Sequence, residues 1–229
     1  MTLRIAEIFH SVQGEGALAG TPSTFVRISG CNLRCSWCDT PYTSWKPEGQ
    51  NLSLQQLMTE VQRHVSTHAV ITGGEPMLFE GTVALSQALK GLGMHITVET
   101  AGTVYQPVTC DLMSISPKLA NSTPLNQEGG KWTAQHERLR YQPETLRRLM
   151  AEYPYQLKFV VSDPADMKEI LEIVGHTRAA RDRVILMPEG TDAKTLQERS
   201  TWIVDLCKQE GFRYSPRLHV DLFGNKRGV

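Results

Sequence analysis

The chain has 229 residues, with 24 lysines and arginines against 24 aspartates and glutamates and a formal net charge of zero. A balanced charge gives no field to gather nucleic acid or an anionic membrane, and the length fits one α/β domain over 1–229, so chemistry on a small molecule is the expectation. Runs such as Val184-Ile185-Leu186-Met187 are too short to span a bilayer and the opening Met1-Thr2-Leu3-Arg4 lacks a signal peptide's apolar stretch, so the protein is expected in the cytoplasm.

In chain order, short β-branched runs predict strands at 3–9, 24–29, 69–72, 95–99, 112–116, 156–161 and 184–187. Amphipathic stretches between them predict helices at 53–66, 82–92, 143–151, 164–174 and 192–209, the last two capped by Asp163 and Thr191. Such alternation builds a largely parallel sheet. Residues 121–140, with Gly129-Gly130 and mixed charges, read as an irregular insertion in a helix slot. The tail, 212–229, either covers the site or frays. Polar or unusual residues close the strands at Gly30-Cys31, Thr72-Gly73-Gly74-Glu75, Glu99-Thr100, Ser116-Pro117-Lys118 and Pro188-Glu189. The carboxyl ends of parallel strands form the working face of such sheets, so these five places are expected to converge.

Five cysteines, three of them within eight residues, argue against a disulfide framework. Cys110 and Cys207 stand alone and read as small buried hydrophobes. Cys31, Cys35 and Cys38 follow a strand on one tight loop, Cys31-Asn32-Leu33-Arg34-Cys35-Ser36-Trp37-Cys38, and three soft ligands suit a cubane iron-sulfur cluster with one iron left open. A structural zinc site wants a fourth ligand, and His64 and His68 lie at the far end of a predicted helix; a three-thiolate zinc module that recruits a partner is the competing reading.

This spacing, with Trp37 just before the last cysteine, resembles the radical S-adenosylmethionine superfamily, and the implied fold is an incomplete (β/α)6-type barrel with reduced helix content. The resemblance implies a 4Fe-4S cluster on the triad and S-adenosylmethionine on its open iron. Thr72-Gly73-Gly74-Glu75-Pro76 is similar to the motif that binds the methionine ammonium, which gives Gly74 and Glu75 that role. Ser116, Pro117 and Lys118 would meet the ribose and carboxylate, helped by Glu99. Met187, Pro188 and Glu189 would border adenine together with backbone atoms of Trp37 and Asp39, although the glutamine often found ahead of that proline is missing here.

The run Gln13-Gly14-Glu15-Gly16 and the pair Asp39-Thr40 narrow the resemblance to the 7-carboxy-7-deazaguanine synthase family, with a match from about residue 5 to Lys118 and a looser one beyond. The implied reaction contracts the ring of 6-carboxy-5,6,7,8-tetrahydropterin with loss of ammonia, started by a 5′-deoxyadenosyl radical that takes hydrogen from C6 and is later restored. Val12, Gln13, Gly14 and Glu15 would hold the guanidine-like pterin edge, and Arg27 its carboxylate through a bidentate fork. Thr72 would face the substrate. By resemblance alone, Thr40 is a Mg²⁺ ligand, and the expected partners are a second copy in a homodimer and an electron donor such as a flavodoxin. A glycyl-radical activase would share the triad and the Gly-Gly-Glu-Pro turn; the Gln13–Gly16 run argues against it.

Overall fold

The computed structural model describes residues 2–229. Among the described residues nine strands form one sheet: β1 (Thr2–Val12), β2 (Pro22–Ile28), β3 (Gln50–Ser53), β4 (His68–Gly73), β5 (His95–Thr100), β6 (Leu112–Ile115), β7 (Tyr155–Val161), β8 (Val184–Pro188) and β9 (Arg213–Tyr214). Their order is β3-β1-β2-β4-β5-β6-β7-β8-β9. From β2 through β9 the neighbours run parallel, while β1 and β3 are antiparallel additions at the first edge. The sheet does not close, and β2, β4, β5, β6, β7 and β8 are the six main strands of an incomplete α/β barrel.

The helices are α1 (Pro41–Ser44), α2 (Leu54–Val61), α3 (Gly81–Gly91), α4 (Thr133–Arg140), α5 (Pro143–Glu152), α6 (Asp166–Thr177), α7 (Ala193–Glu210) and α8 (Leu218–Phe223). Buried Leu57, Leu85, Leu89, Leu146, Leu149, Ile170, Ile173 and Ile203 on their inner faces meet Val26, Ile71, Ile96, Val98, Met113, Leu157, Phe159 and Leu186 of the strands in one continuous core. Ser53 caps α2 with a reciprocal bond to Gln56, and the helix stops at Val61 rather than running on to Ser66. At α7 the cap is Asp192, whose carboxylate accepts from the Thr195 amide; Thr191 lies one residue too early. Asp163 does not cap α6, whose N-cap is Ala165; its side chain accepts from the Ala165 amide in the turn just before the helix.

Two sequence expectations need revision. The insertion does not take a helix slot, because α5 packs beside β6 between β6 and β7 as a barrel helix should. The slot that lacks a helix follows β5, where 101–111 crosses as a loop. Nor is 121–140 irregular throughout, since it contains α4; likewise the tail carries β9 and α8. Short β3 and β9 escape a period-2 reading because they are edge or terminal pieces of four and two residues.

Phe159, fully buried on β7, is the largest of the completely enclosed side chains. Phe159→Ala is expected to lower unfolding free energy by about 3–5 kcal/mol, read from urea denaturation.

Candidate active site

A cavity of about 580 Å³ opens at the carboxyl ends of the parallel strands. Cys31, Cys35 and Cys38 line it, as do Trp37, Asp39 and Thr40 from the same loop. Burial pushes the thiols of Cys31 and Cys35 up to about 12, so a bound metal group must supply the charge that draws these two protons off. A Cβ on Gly74 would overlap the Gly30 carbonyl and Cys31, so the Gly-Gly-Glu-Pro turn lies directly beneath the first cysteine only because Gly74 has no side chain. Among the described residues no three His, Cys, Asp or Glu side chains form a site for a single ion. A cubane makes a different demand, with one thiolate for each of three irons, and thiols placed around a common space suit it.

The other expected residues divide. Val12, Gln13, Gly14, Glu15, Arg27 and Thr72 all reach the cavity, as do Gly74, Glu99, Ser116, Lys118 and Met187. Glu75 does not: its completely buried carboxylate accepts from the Thr100 hydroxyl at 2.8 Å and from the amides of Met77 at 3.0 Å and Ala101 at 2.8 Å. It stitches the β4 turn to the β5 turn, and burial raises its pKa in spite of these bonds. Pro117, Pro188 and Glu189 also lie off the cavity lining. Glu189 turns away because Arg199 of α7 takes both its carboxylate and its carbonyl, so the fifth strand end contributes Met187 alone.

Charged side chains cross the cavity wall as a ladder. Lys158 of β7, with a side chain 4 % exposed, donates to Glu99 at 3.1 Å and to Glu15 at 2.7 Å. Arg217, also buried, donates to the other oxygen of Glu15 at 3.1 Å and also to Asp39. Burial alone would raise the Glu15 and Asp39 carboxyls, but Lys158 and Arg217 outweigh it at Glu15, and Arg217 with Arg27 at Asp39, so both lie below the usual carboxylate range. Burial would likewise lower Lys158, and Glu15 and Glu99 reverse that and keep it protonated.

The Gln13–Gly16 turn is held from the other end of the chain. Leu218 donates its amide to the Gly14 carbonyl at 2.8 Å, the Gly16 amide donates to Ser215 at 2.7 Å, and the Ala17 amide to Gln156 at 2.8 Å. A Cβ on Gly14 would overlap His219, which enters the cavity beside it. The tail therefore covers the site. Arg227 extends the cover with bonds to Glu48 at 2.9 Å and Glu7 at 3.3 Å, and it lies over the Tyr42 ring.

Arg27 is fixed by the same carboxylate: its Nε donates to Glu7 at 2.6 Å, and among the described residues nothing takes its terminal nitrogens. Phe9 and Phe25, paired across β1 and β2, stack with centroids 4.8 Å apart and planes 7° apart on the wall beside it. Lys158, Arg217, His219, Phe9 and Phe25 were not singled out in the sequence. The aromatic pair sat in recognisable strands, but a strand phenylalanine reads as core, and nothing local marks Lys158 or Arg217.

The Radical SAM superfamily model matches residues 25–123, from the strand before the cysteines to just past Lys118. The 7-carboxy-7-deazaguanine synthase of Halobacterium salinarum is 47 % identical over 234 residues, covering 97 % of this chain and 91 % of its own. The chain belongs to the 7-carboxy-7-deazaguanine synthase family. Another member, from Rhodopirellula baltica, is 42 % identical over the whole of this chain and 89 % of its own. The crystal structure of QueE from Escherichia coli shares the fold, with a TM-score of 0.72 at 24 % identity across 96 % of this chain and 95 % of that one. Membership of this family implies a 4Fe-4S cluster and S-adenosylmethionine as cofactors, and the donor set and the Gly74 cradle fit them. No helix among the described residues is long and apolar enough to cross a membrane.

Lys158→Met leaves two half-buried carboxylates short of a cation and is expected to cost about 1–3 kcal/mol, measured by urea denaturation. Glu15 and Asp39 titrate lower in the fold than their unfolded values of 4.5 and 3.8. Their contribution is therefore fully present above about pH 4.5 and is lost as pH falls through the folded values. Arg217→Met should flatten that acid limb in a circular dichroism titration.

Proposed function

We propose that the chain is a 7-carboxy-7-deazaguanine synthase, which contracts 6-carboxy-5,6,7,8-tetrahydropterin to 7-carboxy-7-deazaguanine with loss of ammonia on the way to queuosine and other deazapurines. The observation that carries this reading is 47 % identity to the Halobacterium enzyme across 97 % of the chain. The cavity supports it, because the cysteine triad and the Gln13–Gly16 run face one space large enough for a cofactor and a bicyclic substrate.

When bound, the cluster and S-adenosylmethionine supply the one-electron chemistry that starts the rearrangement. Cys31, Cys35 and Cys38 hold the cluster. Gly74 brings backbone carbonyls near the cofactor's ammonium, while Glu75 acts from behind by fixing the turn. Lys118, whose ammonium donates to Ser116 at 2.9 Å and lies over the Trp37 ring, is placed for the cofactor carboxylate, with Glu99 and Ser116 near the ribose. The Met187 side of the cavity and the backbone of Trp37 and Asp39 border adenine, with Pro117, Pro188 and Glu189 shaping the wall from outside.

On the substrate side, the stacked Phe9 and Phe25 offer an apolar border to a flat ring, and Arg27 offers its free fork to the carboxylate. Gln13, Glu15 and the backbone of Val12 and Gly14 face the guanidine-like edge, and Thr72, in register with Arg27 across β2 and β4, lies beside it. Thr40 reaches the cavity with its hydroxyl 3.4 Å from that of Thr43, which leaves lone pairs for a Mg²⁺ shared with the substrate carboxylate and waters. The same reading includes one domain over 1–229, a homodimer, a flavodoxin-like electron donor and a cytoplasmic location.

The reduced, reconstituted protein, given S-adenosylmethionine and carboxytetrahydropterin, should yield the deazapurine, with turnover falling when Mg²⁺ is omitted. No deazapurine, with 5′-deoxyadenosine formed only on a protein partner, would turn the assignment toward an activase. Each of Cys31→Ala, Cys35→Ala and Cys38→Ala should abolish cofactor cleavage. Arg27→Lys should preserve cleavage while raising the substrate KM at least about tenfold, since an ammonium lacks the fork.

A further inference from the structure

The segment between β6 and α5 folds against the outer side of the cysteine loop and takes up its polar groups. The Ser36 amide donates to the Ser122 carbonyl at 2.8 Å, Trp37 Nε1 donates to the Asn121 carbonyl at 3.1 Å, and Gln127 donates to the Ser36 carbonyl at 2.9 Å. At the centre is His136 on α4, 1 % exposed, whose Nδ1 lies 3.2 Å from the Arg34 amide. Its Nε2 lies 2.9 Å from the Ser122 hydroxyl. That hydroxyl donates to the Leu119 carbonyl at 2.6 Å, so toward the ring it can only accept. One neutral tautomer satisfies the whole chain: Nε2–H donates to Ser122, and bare Nδ1 accepts from Arg34. Burial favours that neutral ring and lowers its pKa to about 4.

Arg34 lies between Cys31 and Cys35, and Ser36 between Cys35 and Cys38. Both amides belong to the backbone that wraps the cluster, and both donate outward. The Leu33 amide, by contrast, donates to the Cys31 sulfur at 3.4 Å. Hydrogen bonds from backbone amides to cluster or ligand sulfur stabilise the more negative, reduced state and raise the reduction potential.

We propose that His136 is a positioning residue for the cluster loop. By holding the Arg34 amide away from the sulfurs, with Ser122 holding that of Ser36, it keeps the cluster's potential low. The inference rests on the triad holding a 4Fe-4S cluster. It gives the insertion a function: one face of α4 sets how strong a reductant the site can be, without touching cofactor or substrate.

The test compares three variants. His136→Phe removes the acceptor; His136→Asn keeps an acceptor where Nδ1 was; Ser122→Ala keeps the ring but removes the partner that fixes its tautomer. In the apo-protein, hydrogen exchange at the Arg34 amide should quicken by roughly fivefold or more in His136→Phe, the equivalent of one net hydrogen bond, and less in Ser122→Ala. It should stay near wild type in His136→Asn. In the reconstituted protein, a redox titration followed by electron paramagnetic resonance should give a more positive midpoint for His136→Phe and a wild-type midpoint for His136→Asn.

An unchanged midpoint with a released Arg34 amide would overturn the proposal, as would an amide equally protected in all three variants or a midpoint in His136→Asn shifted as far as in His136→Phe. If His136→Phe fails to fold, Ser122→Ala against His136→Asn carries the same comparison. Iron and sulfide analysis of the wild type stands apart: their absence after reconstitution would sink the cluster reading, while the apo-protein exchange would still report on the His136 to Arg34 bond.

Discussion

A run of alternating charge, from Glu99 through buried Lys158, Glu15 and buried Arg217 to Asp39, joins parts of the chain that share no local sequence. It links β5 to β7, β7 to the glycine-rich turn after β1, and that turn to the segment leading into α8 and to the end of the cysteine loop. Cations as enclosed as Lys158 and Arg217 are tolerable only when each has a partner, so the elements that bring those partners must all be in place together. The face of the barrel that carries chemistry is thus ordered by electrostatics, while the core beneath it is ordered by apolar packing.

The cysteine loop is held from three sides under that constraint. Gly74 lets the β4 turn lie beneath Cys31, Arg217 secures Asp39 at the far end, and the insertion takes the outward amides of Arg34 and Ser36. The substrate side repeats the logic. Glu7 fixes Arg27 through its Nε and receives Arg227 of the tail, so one carboxylate both aims the fork and fastens the cover. The polar backbone of the loop gains its precision from groups around it whose own bonds are satisfied.

The expectations that failed did so for particular physical reasons. Glu75 belongs to a motif whose sequence suggests a ligand contact, yet its side chain is fully enclosed by Met77, Thr100 and Ala101, and the motif meets the cavity through Gly74. Glu189 follows a strand end like the others, but α7 supplies Arg199 to draw it aside. The insertion looked irregular because its glycines and charges mask α4, whose buried His136 is a polar residue on an otherwise hydrophilic helix.

What the sequence determined by itself was everything encoded within a few residues: the alternation that gives a parallel α/β sheet, the spacing of Cys31, Cys35 and Cys38, the Gly-Gly-Glu-Pro turn and the Gln13–Gly16 run. These are legible because strand period, thiol spacing and glycine placement act over distances shorter than one element. Only the tertiary structure decided which charges meet, since Lys158 lies 143 positions from Glu15 and Arg217 lies 202 from it. A buried ion pair leaves no local trace: each member reads as an ordinary surface charge until folding removes the water around both.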